Sequence, residues 1–400
     1  MNAEWVLAPD IAERIRTLAA ERDEPFYAYV GSEIRKSCRR FLDLPWPDTS
    51  VHVAMMANES PQLLAIVREA GLGVFVNSLP HLGRAGDAGF AGKDIVFAAS
   101  AMNERTMRAV REASAGVNLD SLGEVSAWRA LFPDARVGIR CNIGELVSPQ
   151  ETRAGYFLGR ESRLGLTVAE MESLAGDPWV AGLHMYVGTD ILDIDYFRDC
   201  YERLASFAPR FPALEYLDFG GGFGVPASPR AGFDFSAYAH MVTEVMTAAS
   251  EQAGRPLRLV LEPGRIIGAK AGYFVARVVN VKWRGGRQLV GVSASVAQFP
   301  RPLFYPDEAH HPATILPVLP GQAEPQRGPR AVQEPPVSDP TGNTTDVYGC
   351  STYSRDYLAR DLRLPAAQPG DLVVFSHAGS YCASAYTRFL GFPRPEEVMV

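Results

Sequence analysis

Lysine is scarce in this 400-residue chain: Lys36, Lys93, Lys270 and Lys282 are the only four among 39 basic residues. Imine chemistry with a protein amine must use one of these or the N-terminus. Cysteine is also sparse. Cys38, Cys141, Cys200, Cys350 and Cys382 are odd in number, widely spaced and without a CxxC pair. That argues against a disulfide framework or a zinc site and fits a reducing cytoplasm. No apolar run approaches the ~20 residues of a membrane span. The first residues, Met1 to Trp5, lack the basic stretch and apolar core of a signal peptide, so none is expected. Positive charge is not in excess either. A net charge of −7 leaves no electrostatic footprint for nucleic acid or an anionic membrane.

What is present is the composition of a soluble globular protein, 47% apolar and 21% charged, long enough for one large or two ordinary domains. Residues 1–30 carry an amphipathic helix (Ile11, Ile15, Leu18) and an aromatic strand from Pro25 to Val30. Gly31 and Ser32 then open a basic helix through Arg35, Arg39 and Arg40. From Val51 to about Ile267 short apolar strands alternate with helical stretches, the pattern of a parallel βα array. Strands are expected at 51–56, 74–77, 95–98, 116–118, 136–140, 180–186, 216–219 and 257–262. Eight such units match the size of a (β/α)8 barrel, although periodicity alone leaves an open doubly wound sheet in play. Beyond Arg265, strand patterns at 273–282, 288–292 and 372–375 lack intervening helices and predict a second, all-β domain. The expected division is a segment 1–30 partly joining the β domain, a barrel over 31–267, and the β domain over 268–400. Its Pro- and Gly-crowded stretch 317–346 reads as a loop.

Several local patterns could carry chemistry. Leu217-Asp218-Phe219-Gly220-Gly221-Gly222-Phe223-Gly224 sets glycines directly after a strand, where backbone N–H groups can approach an anion. It has neither GxGxxG nor GK[ST] spacing, and a plain strand-to-helix turn is an equal reading. Leu261-Glu262-Pro263-Gly264-Arg265 follows the last barrel strand; alone it would be a turn with an ion pair. His310-His311 lies beside Asp307 and Glu308, where a solvated loop outweighs a metal site. Cys382 reads as a small buried hydrophobe. Asp193, Asp195 and Asp199 read as a solvated helix start. No metal site is expected.

Taken together, these motifs resemble the pyridoxal phosphate (PLP) decarboxylases of fold type III, the diaminopimelate and ornithine decarboxylase family, over residues 25–395. Arg140-Cys141-Asn142, Ser162-Arg163-Leu164-Gly165, Arg301-Pro302-Leu303-Phe304-Tyr305 and Gly379-Ser380-Tyr381 follow the family's order. The resemblance implies a (β/α)8 TIM-type barrel with a C-terminal all-β domain, a head-to-tail homodimer, and an amino-acid-like substrate. It assigns Gly220, Gly221, Gly222, Gly264, Arg265 and Tyr381 to the cofactor phosphate and Glu262 to the pyridine nitrogen. It assigns Arg301 and Tyr305 to the substrate. At the positions that set substrate choice, Tyr353 and Arg355 match neither family pattern, which leaves the substrate's charge open; an arginine at 355 suits an acidic distal group.

The departures fall where the chemistry should be. In His52-Val53-Ala54-Met55-Met56-Ala57-Asn58 the family's cofactor-binding lysine is replaced by Met56, and a thioether cannot form an imine. A second lysine is replaced by Met102, the ring-stacking histidine by Tyr186, and a family acid by His81. In Gly349-Cys350-Ser351-Thr352-Tyr353-Ser354-Arg355-Asp356, Cys350 sits two residues early while Asp356 is kept. None of the four lysines is well placed to substitute, Lys270 least badly. Three readings follow. One is a divergent decarboxylase-family enzyme holding PLP noncovalently or as a preformed adduct. Another is a cofactor-free enzyme using His81, Tyr186, Cys350 or Asp356 for acid–base or nucleophilic work. The third is a catalytically silent homologue.

Overall fold

The structure, a computed structural model, describes residues 7–147, 157–226, 232–306, 309–317 and 342–400. Sixteen strands run through these residues: β1 (Phe26–Tyr29), β2 (Thr49–Ala54), β3 (Gly73–Val76), β4 (Ile95–Phe97), β5 (Gly116–Leu119), β6 (Val137–Arg140), β7 (Val180–His184), β8 (Tyr216–Asp218), β9 (Arg258–Leu261), β10 (Gly272–Arg284), β11 (Arg287–Val292), β12 (Ala313–Leu316), β13 (Asn343–Tyr348), β14 (Tyr357–Leu364), β15 (Leu372–Phe375) and β16 (Glu396–Met399). They divide between two compact units.

One unit, Arg35–Pro226 with Gly232–Ile267, is a closed barrel of parallel strands β2 to β9. Closure comes from the first and last strands: Thr49, Ser50 and Val51 pair with Leu259, Val260 and Leu261. That pairing excludes the open doubly wound sheet. Helices cross back between strands, and their starts carry the expected side-chain caps. Ser60, Ser78, Asn103, Ser121, Thr167, Asp193 and Asp234 each accept a hydrogen bond from a first-turn N–H. Inside the barrel, Gly138 and Gly182 leave room for the ring of Tyr216, since a Cβ on either would overlap it. The Tyr216 hydroxyl can then reach Asn118 Oδ1 at 3.0 Å.

The other unit, residues 1–34, 227–231 and 268–400, is an eight-stranded sheet ordered β12-β15-β10-β11-β13-β14, with β1 pairing β10 and β16. All pairings are antiparallel except β11–β13 and β1–β16. The helix Pro9–Ala20 lays Ile11 and Ile15 against Val275, Leu372 and Val374 of the sheet. Its spacing of apolar residues is what makes that face continuous.

Three expectations need correction. Met56 is not on a strand: β2 ends at Ala54, and Met55–Ala57 form a single 3-10 turn. Residues 343–346 are not loop but the start of β13, whose Thr345 and Asp346 pair with Gln288 and Leu289; polar residues hid this strand from the apolar pattern. Residues 318–341 of that stretch, Asp307, Glu308 and the first six residues lie outside the described residues. His311 is not solvated. It is buried, with Nδ1 3.0 Å from the Ser376 carbonyl and its ring packed edge-on to Phe299. Among the described residues, no helix is long and apolar enough to cross a membrane.

Candidate active site

In parallel barrels the strands deliver their C-terminal residues to one rim. Here the last residue of β7 is His184, the last of β8 is Asp218, and Glu262 follows β9 directly. The three are buried, and their potential ligand atoms all lie within 4.8 Å of one another. His184 Nε2 is 3.4 Å from Glu262 Oε2. Asp218 accepts from Asn118 Nδ2 at 3.1 Å on one oxygen and from the Gly220 N–H at 3.0 Å on the other. Arg140, last in β6, adds a half-buried positive charge whose field reaches Glu262 and Asp120.

Burial dominates the protonation of this cluster. It pushes the Glu262 carboxyl up to about 8, while Asp218 and Arg140 pull it back. Asp218 is raised well above the carboxylate range, by burial first and by the charge of Glu262 second. His184 is driven down to about 4, again by burial. At neutral pH the imidazole is therefore neutral and Glu262 largely carries a proton. Among the described residues, neither ring nitrogen of His184 nor Oε1 of Glu262 has a hydrogen-bond partner. Such buried orphans are costly unless something else meets them. The spacing would admit a small cation. Both oxygens of Asp218 are already engaged, however, and Arg140 stands close by, so the arrangement is that of carboxyls sharing protons.

The glycine turn closes the rim beside this cluster. Gly220 and Gly222 adopt φ of +63° and +101°, and a Cβ at Gly221 would lie 2.5 Å from the Glu262 carbonyl oxygen. Glu262 in turn donates its N–H to the Gly220 carbonyl at 2.8 Å. Among the described residues, no oxygen accepts the N–H of Gly221 or Gly222. Tyr186, half-buried two residues past β7, would meet a Cβ on Gly221 at 3.4 Å and packs edge-on to Phe157 at 4.7 Å. Gly264 precedes Arg265, whose Nη1 bonds Asp190 Oδ2 at 2.8 Å.

Next to β9 in the closed barrel, the turn after β2 puts the apolar Met56 where the resemblance expects a lysine. Met56 packs with Val96 on the cluster of Ala54, Phe75 and Ala98. His81 is the third residue of the helix Leu79–Asp87; Nδ1 lies 3.2 Å from Asn77 Oδ1 and Nε2 3.3 Å from Glu59 Oε2. Glu59 also pairs with Arg84. Met102 is buried and donates its N–H to Glu124 at 2.7 Å. Lys93 sits in the turn before β4, at the far end of the barrel, and Lys36 on the helix Gly31–Leu42.

The remaining candidates belong to the β unit. Cys350 is exposed, and burial of its surroundings and Asp356 push its thiol up rather than toward a thiolate. Asp356, expected as an acid–base group, is an internal anchor: it accepts from the Val296 N–H at 2.6 Å, Ser295 Oγ at 3.2 Å, and the Ser351 N–H and hydroxyl at 3.0 and 2.5 Å. Four donors leave that buried carboxylate no free direction. Arg301 is buried with Nη1 3.4 Å from His311 Nε2, whereas Tyr305 and Arg355 are exposed. Tyr381 is half-buried at φ +56°. Lys270 lies in the turn Ala269–Ala271 and Lys282 over the Tyr348 ring.

Sequence reasoning gave no role to His184, Asp218, Arg140 or Asp190. The first three are each the polar terminus of a buried apolar strand, which is a usable signal in a barrel.

Comparison with known proteins agrees with this geometry. A model of the pyridoxal-dependent decarboxylase pyridoxal-binding domain matches residues 31–269. A diaminopimelate decarboxylase of Deinococcus radiodurans is 30% identical over 397 residues, 98% of this chain and 92% of the relative. An L-glutamyl-[BtrI acyl-carrier protein] decarboxylase of Niallia circulans is 26% identical, covering 96% of this chain and 90% of the relative. The crystal structure of diaminopimelate decarboxylase from Helicobacter pylori complexed with L-lysine superposes with a TM-score of 0.81 at 20% identity, covering 96% of this chain and 94% of that one. Barrel, sheet and motif order converge, and the chain belongs to the fold-type III family of pyridoxal-dependent amino-acid decarboxylases.

Proposed function

We propose that this protein is a decarboxylase-family enzyme that grips PLP without a covalent bond and acts on an amino acid or a close relative of one. The observation that carries this reading is the buried Oε1 of Glu262, which lacks a partner among the described residues, beside a glycine turn with two unused N–H groups. A group with a ring nitrogen at one end and an anion at the other answers both. When bound, PLP supplies the electron sink for a carboxylate leaving as carbon dioxide.

The chain's own residues then have separable tasks. Glu262, holding its proton near neutrality, offers it to the ring nitrogen, and Arg140 offsets the charge left on the carboxylate. Asp218, fixed by Asn118 and Gly220, keeps Glu262 from turning away. Tyr186 presents an aromatic face beside the glycine turn, in place of an imidazole. Gly221 and Gly222 direct N–H groups at the phosphate, with Gly264 and Arg265 as further members, and Tyr381 is kept as a candidate on the resemblance alone. Arg301, Tyr305 and Arg355 are retained as substrate-side candidates, and a homodimer as the assembled form. Met56 offers no amine, so ligands exchange by dissociation rather than through an enzyme-bound imine.

A cofactor-free enzyme is the second reading, favoured by the apolar packing of Met56. Near-ultraviolet absorbance and equilibrium dialysis with PLP distinguish the two. The proposal expects a saturable pyridoxal band that dialysis removes and that borohydride does not fix to the protein. Absence of binding at millimolar PLP would leave the cofactor-free reading.

A further inference from the structure

Beside the glycine turn the barrel holds a carboxylate of its own. Asp190 follows β7 by six residues, after Gly188 and Thr189. Its Oδ2 pairs with Arg265 Nη1 at 2.8 Å, and its Oδ1 accepts the Val225 N–H at 2.7 Å. The next residue, Ile191, donates its N–H to the Gly222 carbonyl at 2.9 Å. One short segment thus stitches the loops after β7, β8 and β9 together. The guanidinium and carboxylate are mostly shielded, at 11% and 20% exposure. Their charges are therefore less screened than those of an exposed pair.

Asp190 adopts φ +59°, a left-handed conformation that a non-glycine residue takes at a cost. Its carboxylate's bonds to Arg265 and to the Val225 N–H help to hold it there. The consequence is electrostatic. The N–H groups of Gly221 and Gly222 make a seat for an anion, and among the described residues of the three loops that form it Arg265 is the cation. That cation is already neutralised from within. An arriving dianion would meet both a spent guanidinium and a nearby negative charge.

The geometry points to Asp190 as a specificity-determining residue that sets how much negative charge the ligand can bring to this seat: it weakens the hold on a phosphate dianion and favours a ligand neutral or singly charged at that end. This rests on the proposed reading of the rim as a ring-and-anion site. It makes reversible cofactor binding a property of the phosphate end as well as of the missing lysine.

The discriminating variant is Asp190→Asn. Asparagine tolerates the left-handed conformation and its Oδ1 can still accept the Val225 N–H, while the charge and the acceptor that Arg265 uses are both removed. Wild-type protein and variant would be titrated with PLP, with pyridoxal, and with inorganic phosphate at constant ionic strength, following absorbance and thermal shift. The expected result is at least tenfold tighter PLP binding by the variant, with pyridoxal binding unchanged. A gain toward inorganic phosphate without binding of either pyridoxal species would support the role of Asp190 while removing the ring-site reading. Equal or weaker response of the variant to both PLP and phosphate, including no response by either protein, would overturn the inference. A matching gain toward pyridoxal would overturn it too, since the effect would not arise at the phosphate end.

Discussion

His184 Nε2 lies 3.4 Å from Glu262 Oε2, with both side chains buried at the rim of the barrel. The strands that carry them, β7 and β9, are separated by β8, so the pair spans the end of that middle strand, where Asp218 completes the cluster. A neutral imidazole beside a protonated carboxyl is a cheap state to bury. Charging either is costly, and that governs how the protein should respond to pH.

Folded Glu262 keeps its proton up to about pH 8, whereas the unfolded chain releases it near 4.5. Its contribution to stability is complete below 4.5 and is lost as pH rises through about 8. His52 and His184, both lowered to about 4 from 6.5, act in the opposite sense: their contribution is present above 6.5 and lost as pH falls toward 4. Between pH 6.5 and 8 the histidine contributions are common to wild type and a Glu262 variant and cancel in their difference. In that window wild type should lose up to about 1.4 kcal/mol per pH unit relative to Glu262→Gln. Urea unfolding at the two ends of the window measures this. Parallel pH profiles would show that Glu262 is not protonated in the fold.

Met56→Lys should restore the covalent anchor. The 3-10 turn Met55–Ala57 and the neighbouring Ala54, Phe75 and Ala98 accept a straight side chain of similar length, and an amine held against apolar surface titrates lower than a free one. Borohydride treatment of the variant with PLP should add one pyridoxyl phosphate mass to the peptide containing position 56, with none on the wild type. Labelling of wild-type protein at Lys270 instead would mean that the anchor had moved.

Gly221→Ala tests the turn. A Cβ there would press to 2.5 Å on the Glu262 carbonyl oxygen, which is backbone and cannot swing aside. A loss of about 1–3 kcal/mol is expected. Gly86→Ala, in the helix Leu79–Asp87 with nothing within 4 Å, is the control and should be neutral or stabilising by up to ~1 kcal/mol. Denaturant midpoints compare them. Equal stability of both variants would mean the turn is looser than described.

Asp356→Ala should act on stability rather than directly on chemistry. It strands the Val296 and Ser351 N–H groups and the Ser295 hydroxyl in a buried setting. At least about 2 kcal/mol should be lost in unfolding measurements. A fully stable variant that lost only activity would return Asp356 to a reacting role.

The barrel strands were legible because each is a short apolar run closed by turn residues, and burial on both faces leaves little other pattern to read. The β unit was harder. Asn343–Tyr348 and Tyr357–Leu364 carry too many polar side chains for an apolar signal, and they become strands because each supplies the hydrogen bonds the other lacks. In the site, Glu262 and the glycines stood out by motif. Asp190 did not, because nothing in Gly188-Thr189-Asp190 announces that its carboxylate meets Arg265, 75 residues away.

Family, barrel architecture and the want of a lysine at position 56 follow from the order of residues alone, since motif order and side-chain chemistry do not depend on where the chain goes. The protonation of Glu262, the anchoring of Asp356 and the neutralising of Arg265 came only with the tertiary structure. Each is a matter of which groups share a buried, weakly screened space, and that is decided by packing between segments far apart in the chain.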